Sequence, residues 1–263
     1  MRFLTYLPNY FKIWGALRDK LHRKEVFSVK KVSVKAKIFD TLFLAGIVVM
    51  SAYLFDSVFL RWLMELGFVM SIGELFLTAF TNRKDLKGIF PERSHFIIAT
   101  NCIIATASLC VFLVIPSWKQ FILFFGAVIS ADAGGLIFGR LFGRKHPWFS
   151  RKISPNKTYA GYIGEFIASW VVCVIVINIL KINVTAADNW FIVFAPVFGT
   201  IGDLCASGAK RQLGIKDSSE VFRDMPFLGQ LEWFVKSRDG FLDCFDSIAS
   251  AFIYYSILIV ILG

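Results

Sequence analysis

Residues 159–181 read Tyr-Ala-Gly-Tyr-Ile-Gly-Glu-Phe-Ile-Ala-Ser-Trp-Val-Val-Cys-Val-Ile-Val-Ile-Asn-Ile-Leu-Lys, with Glu165 as the only ionisable carboxylate or cation between Lys157 and Lys181. A hydrocarbon core of roughly 30 Å needs about 20 apolar residues per helix, so this stretch predicts a membrane-spanning helix. Working outward, similar runs lie near 38–55, 60–80, 95–115, 119–138, 189–206 and 245–262. They give seven spans in all. The boundary between the first two is short, because Asp56, Arg61 and Glu65 leave little room for a loop. Composition agrees: 56% of the 263 residues are hydrophobic and only 18% are charged, with a mean hydropathy of +0.63, outside the mix of a soluble domain. The predicted fold is therefore an all-α, polytopic membrane bundle.

Charge fixes the expected orientation. Lys and Arg gather in residues 1–37, 83–93, 140–157 and 210–238, whereas the connections near Asp56, Pro116 and Asn183–Asn189 carry few cations. By the positive-inside rule the basic segments are cytoplasmic, so the N-terminus lies inside and the C-terminus outside. The formal net charge of +10 then reflects topology and attraction to anionic lipid headgroups; no nucleic-acid recognition fold accompanies it. Residues 1–37 mix Phe3, Tyr6, Tyr10, Phe11 and Trp14 with basic residues, which predicts an amphipathic cytoplasmic arm lying on the membrane. A transmembrane scaffold follows over 38–115. The chemistry is expected in 116–263, with cytoplasmic loops at 139–158 and 208–244.

Cys102, Cys110, Cys173, Cys205 and Cys244 are scattered without metal-binding spacing, and His22, His95 and His146 form no cluster. The polar chemistry lies elsewhere, in three groups. The first is Asp132 with Gly134, Gly135, Gly139, Arg140, Gly143, Arg144 and Lys145; such glycines admit the close approach of either a neighbouring helix or a phosphate. The second is Ser154-Pro155-Asn156-Lys157-Thr158, which reads equally as an anion cradle or a capped helix start. The third comprises Asp203, Ser207, Lys210, Arg211, Lys216, Asp217, Gly240, Asp243, Asp246 and Ser247. In it Asp203, Ser207 and Lys210 or Arg211 fall three to four residues apart and share a helix face, as do Asp243 and Asp246. Aspartates supply hard oxygen donors for Mg²⁺ and the cations neutralise phosphate, so the set points to metal-assisted phosphate chemistry. Glu74 and Glu165, inside spans, fit either a cavity wall or an interhelical hydrogen bond.

In combination these residues resemble the phosphatidate cytidylyltransferase (CDP-diacylglycerol synthase) family from Asp132 onward. The family's closing signature is matched by Ser207, Lys210-Arg211, Lys216-Asp217, Gly240, Asp243 and Asp246-Ser247. Its upstream Ser-Pro-Lys-Lys-Thr element is similar to Ser154–Thr158, and its Asp and Gly-Arg-x-x-Gly element to Asp132 with Gly139–Gly143. Two elements depart from it: Ser237-Arg238-Asp239-Gly240 stands for Gly-His-Gly-Gly, and Cys244 for an Arg. The stretch between Asp217 and Asp239 is also longer than the family's compact loop.

The resemblance implies transfer of a cytidylyl group from CTP to phosphatidate, giving CDP-diacylglycerol and pyrophosphate in phospholipid biosynthesis. It implies Mg²⁺ on Asp217, Asp243 and Asp246, with Lys210 and Arg211 acting in catalysis. Substrate contacts are expected from Asp132, Arg140, Ser154, Lys157, Thr158, Ser207, Lys216 and Arg238. A homodimer in a bacterial inner membrane or an organelle membrane, with its site facing the cytoplasm, is the matching setting. A CTP-dependent lipid-alcohol kinase or a catalytically silent relative is the alternative.

Overall fold

The computed structural model describes residues 46, 57–81, 94–114, 117–143, 153–154, 157–215 and 241–262. The chain divides into two units, Met1–Val34 and Lys35–Gly263, of which the first lies wholly outside the described residues. Six helices make up the described part of the second: α1 (Ser57–Thr81), α2 (His95–Leu113), α3 (Trp118–Phe142), α4 (Tyr159–Leu180), α5 (Ala186–Gln212) and α6 (Leu242–Leu262). All six are long and apolar enough to cross a membrane, and the protein is an all-helical integral membrane protein. The remaining predicted span, 38–55, falls outside the described residues apart from Gly46, which is helical.

Three helices extend beyond their apolar runs. The sequence places a loop from 208, yet α5 continues to Gln212, and α6 starts at Leu242 rather than beyond 244. Likewise α3 runs through Arg140 to Phe142, into the loop expected from 139. The reason is that hydropathy and helicity are separate properties. Ala, Lys, Arg and Gln are good helix formers, so a helix can leave the apolar layer without unwinding.

Local sequence sets the helix ends. Ser117 caps α3 through a capping box with Gln120, and Thr185 caps α5 reciprocally with Asp188, each satisfying backbone N–H groups that have no partner within the helix. The α6 N-terminus is served from a distance, because Glu74 Oε2 on α1 accepts the Leu242 N–H at 2.7 Å.

Packing follows helical spacing. Leu60, Met64, Phe68, Ser71, Leu75 and Thr78 form the buried stripe of α1, three to four residues apart. Phe124 lies at the centre of the bundle, with ring centroids 5.4 Å from both Phe191 and Phe252, joining α3, α5 and α6. Lipid tails are as apolar as leucine, so association also depends on close backbone approach. At the α3–α4 contact, a methyl on Gly134 would lie 2.4 Å from the Gly164 carbonyl oxygen. This assigns the glycine run of α3 to helix packing. Exposed Trp170, Ile175 and Ile179 on α4 suit a face turned to lipid.

Candidate active site at one end of the bundle

The C-terminal parts of α3 and α5 and the N-terminal parts of α4 and α6 meet at one end, carrying the charged residues with them. On α5, Asp203, Ser207 and Lys210 lie on successive turns of one face, and Ser207 Oγ donates to Asp203 Oδ1 at 3.4 Å. Lys210, only 8% exposed, donates to Asp243 Oδ1 in the first turn of α6. One turn on, Asp246 is 4% exposed and its Oδ1 accepts the Ser247 N–H at 2.6 Å. The two helices approach closely here because residue 202 is glycine: a methyl there would sit 2.2 Å from the Asp246 carbonyl oxygen.

From the turn before α4, Lys157 Nζ reaches Asp203 Oδ2 at 2.7 Å and Glu165 Oε1 at 3.4 Å. Glu165 in turn accepts the Thr200 hydroxyl at 2.7 Å. Burial by itself would lower the Lys157 pKa. Asp203 chiefly, then Glu165 and Asp132, outweigh it and hold the ammonium well above the ordinary lysine range, so it is charged at any working pH. Asp132 on α3 is exposed and within electrostatic reach of both Lys157 and Asp246. Asp246 also senses Asp203 and Asp243 as like charges and Lys210 as a counter-charge.

Asp132, Lys157, Asp203, Ser207, Lys210, Asp243 and Asp246 are therefore brought together. Thr158 lies beside them with its Oγ1 accepting the Gly161 N–H at 3.1 Å, so its side chain caps α4. Ser154 is half-buried, and its carbonyl accepts the Lys157 N–H at 3.4 Å. Arg140 is exposed near the end of α3. Arg211 is also exposed and donates to the Ile215 carbonyl at 3.2 Å, closing its own helix. Lys216, Asp217 and Arg238 lie outside the described residues. Thr200 carried no signal in the sequence and enters only through tertiary contact. Glu165 was readable only as a carboxylate inside an apolar run, the type of position that a cavity or partner must explain.

Among the described residues, five carboxylates thus stand around two ammonium groups. Carboxylates gathered in this way attract cations. Among the described residues, no three Asp, Glu, His or Cys side chains are gathered closely enough to hold a metal ion. The donor chemistry still suits Mg²⁺: Asp243 and Asp246 offer hard oxygens one turn apart at the start of α6.

The sequence matches the family described as the cytidylyltransferase family over residues 3–262. It is similar to the phosphatidate cytidylyltransferase of Staphylococcus haemolyticus, with 33% identity over 133 residues, 49% of this chain and 44% of the relative. The phosphatidate cytidylyltransferase of Staphylococcus saprophyticus is 33% identical over 146 residues, 54% and 49% of the two chains. That of Staphylococcus epidermidis is 32% identical over 146 residues, again 54% and 49%. The chain spans about half the length of the curated relatives it matches. No solved structure matches it.

Proposed function

Because this chain belongs to the cytidylyltransferase family, we propose that it transfers a cytidylyl group from CTP to phosphatidate, releasing pyrophosphate. The observation that carries this reading is the acidic cluster with buried Lys210 and half-buried Lys157, assembled from four helices at one end of a membrane bundle. An oxygen of the lipid phosphate attacks the α-phosphorus of CTP; the new P–O bond forms as the bond to the β-phosphate oxygen breaks. No covalent enzyme intermediate is needed, and the work is positioning and charge screening.

Lys157 and Lys210 neutralise phosphate oxygens, each kept in place by an aspartate. This reading also assigns Ser207 and Ser154 to the phosphates, with Lys216, Arg211, Arg140 and Arg238 as further cations. Asp243 and Asp246, with Asp217, would hold Mg²⁺, which when bound offsets the triphosphate charge and eases departure of pyrophosphate. Asp132 and Asp203 add to the field that draws the cation in. The basic segments 140–157 and 210–238 adjoin the helix ends that carry the site. That supports a cytoplasmic site in a bacterial membrane, open to CTP from water and to the lipid from the bilayer.

The test is labelled CTP with phosphatidate and the detergent-purified full chain, with and without Mg²⁺. CDP-diacylglycerol formed only with the cation is the expected product. Transfer of the terminal phosphate to a lipid alcohol would replace this reading with a kinase, and CTP binding without turnover would replace it with a silent relative.

A further inference from the structure

We infer that Glu165 is a positioning residue that aims the Lys157 ammonium at the substrate phosphate; this rests on the reading of Lys157 as a phosphate ligand. Glu165 is 7% exposed on the second turn of α4. Both of its oxygens are engaged, Oε1 by Lys157 at 3.4 Å and Oε2 by Thr200 at 2.7 Å. Space is kept for it across the helix contact, since a methyl on Gly135 would lie 2.7 Å from Oε1.

Neutralising Lys157 does not require this carboxylate, because Asp203 already lies at 2.7 Å. What a second carboxylate adds is direction. A lysine ammonium has three donors on a flexible stem. Asp203 and Glu165 take two of them from different helices, which fixes where the third points. Thr200 and Asp203 lie three residues apart on one face of α5, so Lys157, Glu165, Thr200 and Asp203 close into a ring across α4 and α5. A carboxylate within an apolar helix is costly and needs a reason. A glutamine would serve helix packing without that charge.

The experiment has two readouts on the full-length protein in detergent. Acylation of Lys157 by an N-hydroxysuccinimide ester at fixed pH, mapped by peptide mass spectrometry, reports the hold on its ammonium. Glu165→Gln is expected to acylate up to about tenfold faster than wild type, since a lysine relieved of one carboxylate deprotonates more readily. Thr200→Val, which leaves the charge but loosens it, should give a smaller rise. An unchanged rate in Glu165→Gln overturns the inference.

The second readout is CDP-lipid formation in a double-mutant cycle. Glu165→Gln is expected to lower kcat/KM by about tenfold in wild type and to cost nothing further in a Lys157→Met background, as for residues acting through one another. Equal losses in both backgrounds overturn it. If wild type makes no CDP-lipid, the proposed reaction fails on that result alone, while the acylation rates still decide whether Glu165 holds Lys157.

Discussion

The two ends of the bundle use charge in opposite ways. At the end away from the acidic cluster Asp188, Lys119 and Arg61 are each answered by hydrogen bonds. Asp188, fully buried, accepts the Thr185 N–H at 2.9 Å, the Thr185 hydroxyl at 2.8 Å and the Tyr255 hydroxyl. Lys119 donates to the Leu180 carbonyl at 3.0 Å, and Arg61 to the carbonyls of Val111 and Phe112. These groups close helix ends. At the other end, carboxylates from α3, α4, α5 and α6 crowd around Lys157 and Lys210 and repel one another. Burial of an ionisable residue therefore does not by itself mark a site. The mark is the gathering of carboxylates from four helices in one place, held there against their own repulsion.

Substitutions can break this contrast. The largest effect is expected from Asp246→Asn, which removes a charge but little volume: CDP-lipid formation should fall by roughly a hundredfold or more, with membrane insertion and thermal unfolding near wild type. Turnover equal to wild type would take Asp246 out of the site.

An intermediate effect should come from Glu74, which serves the site from outside the charged cluster. Glu74→Leu removes the acceptor at the α6 N-terminus and should cost about 1 kcal/mol of stability, with reduced turnover because Asp243 and Asp246 ride on that first turn. Glu74→Gln keeps an acceptor oxygen and should preserve both, as read by thermal unfolding and CDP-lipid assay.

The smallest effect on chemistry belongs to the opposite end. Tyr255→Phe should cost about 1–2 kcal/mol in thermal stability while leaving turnover per folded molecule unchanged. A loss of turnover comparable to that of Asp246→Asn would erase the distinction between the ends.

Much of this was legible in the chain. Six of the seven expected spans fall on the described helices because lipid imposes one simple requirement, an apolar run long enough to satisfy its own backbone. Periodicity also put Asp203, Ser207 and Lys210 on one face, where Ser207 and Asp203 bond. Helix ends were less legible, since Asp203 to Gln212 is charged yet helical. The glycines of α3 remained ambiguous because a small residue serves a helix or a phosphate equally; only the neighbouring Gly164 backbone decides it. Contacts such as Glu74 with Leu242, 168 residues apart, leave no local trace. Neither does the pairing of Glu165 with Thr200.

At Gly202 a single hydrogen separates α5 from the backbone of α6. Any larger group would wedge the two helices open and move Asp203 away from Asp246, and displacements of about 1 Å can cost a hundredfold in rate. Assembly and reactivity therefore share one hinge point at this crossing, and no residue change there can tune the reaction without first rebuilding the scaffold.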